Sequence, residues 1–288
     1  MVNLILGTAT FGTGYGIANN GIRLENNAVA EIIKTAQSSG IVEFDTAPAY
    51  GQAEVLLGTY LDQGFLPKIS SKIGKEDAKS VKLMIASVEE TLRRTKVDKL
   101  ANLYLHDPEA LSGIGASEAI AGLTELIGLE LVEHVGVSVY SLQSLLEAKG
   151  LFPELSVFQV PENICDRRML HSKELMDLAN EGDSFIVRSI FLQGLLLMPS
   201  NEIPSELEQA KSAVSKIRTF LDSNPISPLD LCLGYGRAIP WASGLVIGAA
   251  TASQLRQIIE SKSILPIGWD SDIPTLPKEI LDPRQWQK

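Results

Sequence analysis

Four ionisable side chains in the first third of the chain could together reduce a carbonyl group: Asp45, Tyr50, Lys72 and His106. Each ends or closely follows a strand-like apolar run. Asp45 closes VEFD, Tyr50 follows in DTAPAYG, Lys72 closes ISSK and His106 closes NLYLH. A phenol can donate a proton to a developing alkoxide, and a neutral imidazole can orient the carbonyl oxygen. Tyrosine titrates near ~10 in water, so useful acid–base work at neutral pH needs a cation beside it. A buried lysine tends to lose its proton unless a carboxylate holds it charged. Asp45 and Tyr50 lie five positions apart, and Pro48 between them is suited to the turn that would bring both inward. Singly, these residues have ordinary roles: a helix cap, an amphipathic core tyrosine, a solvated lysine, a histidine satisfying a backbone group. The case for chemistry rests on their delivery from the same end of neighbouring strands.

The surrounding pattern supplies such strands. LILGTAT, IVEFDTA, PKISSKIG, ANLYLHDP, HVGVSVYS, SVFQVPEN, SFIVRSIF and GLVIGAA alternate with amphipathic stretches such as AVAEIIKTAQSSG and SVKLMIASVEETLRRTK. After SFIVRSIF comes a longer segment with two helical stretches, SELEQAKSAVSKIRTFLDS and SPLDLCLGYGRA. Short runs, apolar on both faces, are what parallel strands require. Eight such βα units predict an α/β fold, a (β/α)8 TIM barrel forming one domain over residues 1–288. A doubly wound sheet is disfavoured because no GxGxxG follows the first strand. In a barrel, chemistry collects at the C-terminal ends of the strands, where the four residues fall.

Composition narrows the function classes. Of the 288 residues 45% are hydrophobic and 21% charged, as in an ordinary globular protein. A net charge of −10 disfavours nucleic acid and anionic membrane surfaces as partners. No run of about 18 apolar residues and no signal-peptide pattern is present, so a cytoplasmic protein is expected. Cys165 and Cys232 show neither CxxC nor metal-ligand spacing and are expected as reduced thiols, with no metal site. His134 and His171 are expected at the surface. No coiled-coil repeat is present, which leaves a monomer as the default.

The segments LGTATFG, DTAPAYGQAEVLLG, SSKIG, YLHDP, GVSVYS, FQVPEN, VRSIFLQGLL and VIGAATASQL resemble, in order, those of the aldo-keto reductases across essentially the whole chain. The resemblance implies an NADPH-binding TIM barrel that reduces aldehydes or ketones without metal. Tyr50 would be the proton donor, Lys72 would lower its pKa, Asp45 would pair with Lys72, and His106 would bond the substrate oxygen. Ser138 and Gln159 would hold the nicotinamide carboxamide, with Thr10 also on the cofactor side. Ser189, Phe191, Gln193 and Gly194 would cross the pyrophosphate. Gly248, Ala249 and Thr251 would open the last helix beneath phosphate, and Gln254 would face the adenine. Phe11 and Tyr15 would wall the pocket of a small carbonyl substrate, a polar and sugar-type aldehyde being the expected kind.

Three positions depart from the family's usual pattern. Val139 stands where an asparagine commonly makes a carboxamide contact. Arg188 stands where a tyrosine commonly stacks on the nicotinamide; a guanidinium can stack too. It would bias the cofactor toward its reduced form, reach an anionic substrate, or pair with a carboxylate. Ala250 stands where NADPH users place Arg or Lys, which leaves Thr251 and Arg256 for a 2′-phosphate and opens the site to NADH. Two other readings remain: a cofactor-binding regulatory protein on the same fold, and a Schiff-base lyase using Lys72.

Overall fold

Strands that expose backbone groups on both edges must pair on both sides, and eight of them do so here by closing on themselves. The computed structural model describes residues 2–17, 21–62 and 64–286. The strands are β1 (Asn3–Gly7), β2 (Glu43–Asp45), β3 (Lys68–Ile73), β4 (Leu100–Leu105), β5 (Val132–Ser138), β6 (Val157–Pro161), β7 (Ser184–Arg188) and β8 (Gly244–Ile247). They form a closed barrel in chain order, with β1 also pairing β8, and every pair is parallel. This is the (β/α)8 barrel expected from the alternation of strand-like and helix-like segments.

The outer layer holds α2 (Asn26–Ser38), α3 (Ala53–Tyr60), α4 (Val81–Thr95), α5 (Ala116–Gly128), α6 (Leu142–Leu151) and α7 (Lys173–Asn180). A short α1 (Ala9–Gly12) follows β1. The long segment after β7 carries α8 (Glu208–Ser223) and α9 (Pro228–Ala238), and α10 (Ala252–Glu260) follows β8. Short helices α11 (Trp269–Asp272) and α12 (Lys278–Leu281) and a 3-10 turn at Pro283–Gln285 belong to the C-terminal tail. Ser141, Ser172, Ser227 and Thr251 cap their helices through side-chain oxygens that accept a backbone N–H three residues on. None of the helices among the described residues is long and apolar enough to cross a membrane.

The two-residue period of the strands divides their side chains between two cores. Leu6, Phe44, Ile69, Leu103, Val135, Phe158, Phe185 and Leu245 face outward and pack against the helices in one large cluster. Ile5, Tyr104, Val157 and Ile186, with Val246, fill the barrel interior. The inner face is not apolar throughout, as the sequence pattern led us to expect. β3 reads KISSKI: its buried Ser70 and Lys72 are the inward polar residues, while buried Ser71 faces the helix layer. Ser71 donates to the buried Glu54 of α3 at 3.3 Å, and Ser70 accepts from Asn102 at 2.9 Å. Stepping two residues toward the C-terminal end from the inner core gives the next inward layer: Gly7 above Ile5, Gln159 above Val157, Arg188 above Ile186 and His106 above Tyr104.

Candidate active site

That upper layer is where the barrel carries its charge. Register aligns Gly7 with Asp45, Asp45 with Ser70 (two positions before Lys72 on the same inward face) and Ser138 with Gln159. Lys72 and Asp45 are therefore brought together, although 27 positions separate them in sequence. Lys72 Nζ donates to Asp45 Oδ1 at 2.7 Å, to Oδ2 at 2.9 Å and to the Thr46 carbonyl at 3.0 Å. Both side chains are almost fully buried, at 3% and 7% exposure. Burial pushes the Lys72 pKa down, but the Asp45 charge, the Tyr50 phenol and the hydrogen bonds outweigh it and raise it above its ordinary value. Lys72 is a cation at any physiological pH.

Tyr50 is placed above this pair by its backbone. Pro48–Tyr50 form a 3-10 turn with Pro48 at its first position, as the spacing led us to expect, and Tyr50 N–H donates to Ala47 O at 2.9 Å. The turn lies against α1 so closely that a Cβ on Gly12 would sit 1.7 Å from the Tyr50 carbonyl oxygen. Gly12 has to be glycine for this contact. Lys72 Nζ lies 5.1 Å from the centre of the Tyr50 ring.

His106 follows β4 at the barrel mouth, its N–H donating to Ile73 O at 3.0 Å. It is exposed to solvent, with its ring partly enclosed. That burial, together with Lys72 and Arg188, holds its pKa below 6.5. At neutral pH it is an uncharged imidazole with an N–H to donate.

Gln159 links the charged pair to the rest of the site: its Nε2 donates to Asp45 Oδ2 at 2.7 Å, and its Oε1 accepts from Ser138 Oγ at 3.5 Å. A cavity of about 530 Å³ runs from Asp45 and Tyr50 across the ends of β6, β7 and β8 to α10. Thr10, Tyr15, Gln159 and Arg188 line its inner part. Ser189, Phe191, Gln193 and Gly194 line the middle, and Gly248, Ala249, Ala250 and Gln254 line the far end. Ser138 and Lys72 lie beneath the cavity floor, buried at 4% and 3% exposure. Thr251 stands beside the far end as the N-cap of α10, its Oγ1 accepting from Gln254 N–H at 3.1 Å, while Gln254 Oε1 accepts from Ala250 N–H at 2.8 Å.

Phe11 does not wall the cavity. It is fully buried in the outer core, on the inner side of α1, because this short helix turns its apolar face toward the barrel shell. Tyr15 does line the cavity; 43% of it is exposed, and its phenol is pushed up to about 12 by burial of the hydroxyl end and by Tyr50. Val139 is buried among apolar side chains. His134 and His171 are exposed, and Cys165 and Cys232 are buried free thiols. Among the described residues no group of His, Cys, Asp and Glu could hold a metal ion.

The loop after β7 carries a signal that composition does not show. Ser189, Leu192 and Gln193 have φ of 64°, 46° and 54°, and Gly194 has 94°. Left-handed conformations in non-glycine residues cost energy and gather at functional sites. Runs of this kind also turn successive backbone N–H groups to one side, making a concavity suited to anions. Among the other cavity residues that the sequence did not reveal are Leu197, Met198, Pro199, Ser227, Leu229 and Gln257. They come from the long segment after β7 and from α10, and their types are those of ordinary core and loop.

Residues 3–267 match the Aldo/keto reductase family. The chain is 31% identical to D-arabinose 1-dehydrogenase of Saccharomyces cerevisiae over 149 residues, covering 48% of this chain and 43% of that protein. It is 28% identical to aldo-keto reductase YhdN of Bacillus subtilis over 155 residues, covering 49% and 46%. The matched stretch thus spans under half the length of these two curated relatives. Among solved structures, a thermostable aldo-keto reductase in complex with the inhibitor epalrestat superposes with a TM-score of 0.71 at 22% identity, covering 93% of this chain and 94% of that one. The glycerol dehydrogenase of Gluconobacter oxydans superposes at 0.70 with 18% identity, covering 93% and 88%, and like the first it speaks to the fold alone. With the family match running almost from end to end of the barrel, the chain belongs to the aldo/keto reductase family.

Proposed function

We propose that the protein is an NAD(P)H-dependent reductase of small polar aldehydes or ketones. The observation that carries this reading is the buried Lys72–Asp45 pair placed against the Tyr50 phenol at the inner end of a long cavity. The cavity fits a nicotinamide dinucleotide in its chemistry. The Gln159 amide, with Ser138 beneath it, lies at one end, left-handed backbone at Ser189, Leu192, Gln193 and Gly194 in the middle, and the N-terminus of the nine-residue α10 at the other end. Gly248 meets no atom within 4 Å of where a Cβ would be, which leaves room for a phosphate against the backbone. When bound, the cofactor supplies the hydride.

The chain's own residues do the remainder. Tyr50 donates the proton to the carbonyl oxygen as it becomes an alkoxide. Lys72, held charged by Asp45, stabilises the phenolate left behind. Neutral His106 donates a hydrogen bond to the same oxygen and orients it, and Tyr15 closes the substrate side.

The adenine end carries no cation among the described cavity residues, where Ala250, Gln254 and Gln257 stand. Arg256 is turned away: its Nη1 donates to Thr35 Oγ1 on α2 at 3.3 Å. A charge-assisted clamp contributes about 1.5–3 kcal/mol, or roughly ten- to a hundredfold in affinity. Without it, NADH is taken about as readily as NADPH. Tryptophan-fluorescence titration with each cofactor, alongside an aldehyde panel and a Tyr50→Phe control, tests both parts. Turnover lost in Tyr50→Phe supports the reductase, and a tenfold preference for NADPH would refute the missing clamp. Cofactor binding without turnover on any carbonyl would instead favour the regulatory reading.

A further inference from the structure

We infer that Arg188 selects carbonyl substrates that carry a carboxylate; the inference rests on the reductase reading and names its substrate class. Arg188 closes β7 with its side chain on the inward layer, and it is the one Lys or Arg among the described residues that line the cavity. The sequence leaves three roles open for it: lying at the cofactor ring, reaching an anionic substrate, or pairing with a carboxylate of the chain. In the structure its guanidinium instead lies 4.1 Å from the centre of the Tyr140 ring. Its Nη2 donates to Val139 O at 3.1 Å and its Nη1 to Ser189 Oγ at 3.4 Å. These contacts fix the plane of the group, yet none supplies a negative charge.

A guanidinium has five N–H donors in a planar fork that matches a carboxylate. Two are used, and Arg188 lines the cavity with three left over. The position of the charge decides what it can meet. Arg188 closes β7 beside Gln159 on the inward layer, and its charge opposes the rise of the Tyr15 pKa and adds to the fall of the His106 pKa, so its field reaches the reaction end of the cavity.

A second guanidinium sharpens the contrast. Arg284, in the tail, lies 3.6 Å from the centre of the same Tyr140 ring, but Asp282 neutralises it through two bonds of 2.8 and 2.7 Å. The tail therefore braces Tyr140, and Tyr140 braces Arg188, which makes no ion pair among the described residues. A fixed, braced cation costs little ordering on binding an anion, which is where such a contact gains its strength.

The test compares succinic semialdehyde with butanal, a pair of equal chain length that differ in the carboxylate. kcat/KM is measured for both with saturating reduced cofactor in the native protein, Arg188→Met and Arg284→Gln. Taking the ratio within each protein cancels any common loss of folding or cofactor binding. We expect the native protein to prefer the acid by tenfold or more, mainly through KM, and the ratio to collapse toward one in Arg188→Met. Arg284→Gln should keep most of the preference. Equal use of both aldehydes by the native protein, or a ratio that survives Arg188→Met, would overturn the inference. Absence of turnover on either aldehyde counts against the reductase reading instead. In that case calorimetric binding of succinate to the cofactor-saturated protein decides the carboxylate site directly: it must be present in the native protein and lost in Arg188→Met.

Discussion

Replacing Asp45 by asparagine tests whether the Lys72 cation is held by its buried partner. At 2.7 Å, an effective dielectric of about 20 gives an attraction of roughly 6 kcal/mol between the two charges. Most of that offsets the cost of taking both ions out of water. Asp45→Asn keeps the shape and the Thr46 contact but leaves an ammonium buried at 3% exposure with no counter-charge. Removing one member of such a pair destabilises by about 3–5 kcal/mol, whereas removing both is often close to neutral. The expected result at pH 7 is therefore a loss of about 3–5 kcal/mol in Asp45→Asn, with much of it recovered in the Asp45→Asn, Lys72→Met double variant. Urea denaturation followed by tryptophan fluorescence, with m-values compared across the set, measures the cycle.

The pH arm has a definite sign. The Lys72 pKa is raised in the fold, so the stability it contributes is fully present below its unfolded value of 10.5 and is lost only as pH climbs through the higher folded value. The difference between native and double variant should thus be flat from pH 7 to about 10. A single variant costing under about 1 kcal/mol, or costs that simply add in the double, would refute the coupled pair and with it the charged lysine beneath Tyr50.

Other expectations follow from the same contacts. Gly12→Ala must push the Tyr50 turn away to make room for its Cβ, so it should cost about 1–3 kcal/mol in denaturation and lower kcat by more than KM changes. Gln159→Met removes the donor at 2.7 Å from Asp45 Oδ2; a stability loss of about 1.5–3 kcal/mol and weaker reduced-cofactor binding by fluorescence titration are expected, and unchanged binding would free Gln159 from the cofactor role. Glu162, fully buried and bonded to Tyr235 Oη at 2.5 Å, is pushed up to about 8 by its burial, so between 4.5 and 8 the folded protein holds a proton that the unfolded chain has released. Stability should then fall by a few kcal/mol as pH rises through that window, and Glu162→Gln should flatten the melting-temperature profile.

The parts of the site legible in the sequence are those fixed by strand parity. Asp45, Lys72 and Gln159 lie on the inward face near the C-terminal ends of β2, β3 and β6, with His106 just past β4, so the two-residue period and parallel pairing suffice to gather them. Tyr50 is one step further removed. Its turn was readable from Pro48, but the glycine that holds that turn in place comes from the loop after β1, and nothing local to either segment announces the contact. Phe11 lies in the outer core instead of at the pocket wall for a related reason: a four-residue helix has no usable periodicity, and its orientation is decided by the shell it packs against. The left-handed run at Ser189, Leu192 and Gln193 is illegible in principle, since those residue types do not favour such backbone and tertiary packing imposes it. Arg284 is farthest from view, nearly a hundred residues beyond Arg188, on a tail whose sequence reads as mere punctuation. Its reach back to Tyr140 means that the cation at the reaction end is set by three separate elements: β7 supplies it, the residue after Val139 supports it, and the tail holds that support. Arg188 is therefore placed by contacts between elements, whereas the Lys72–Asp45 pair is gathered by the register of the strands themselves.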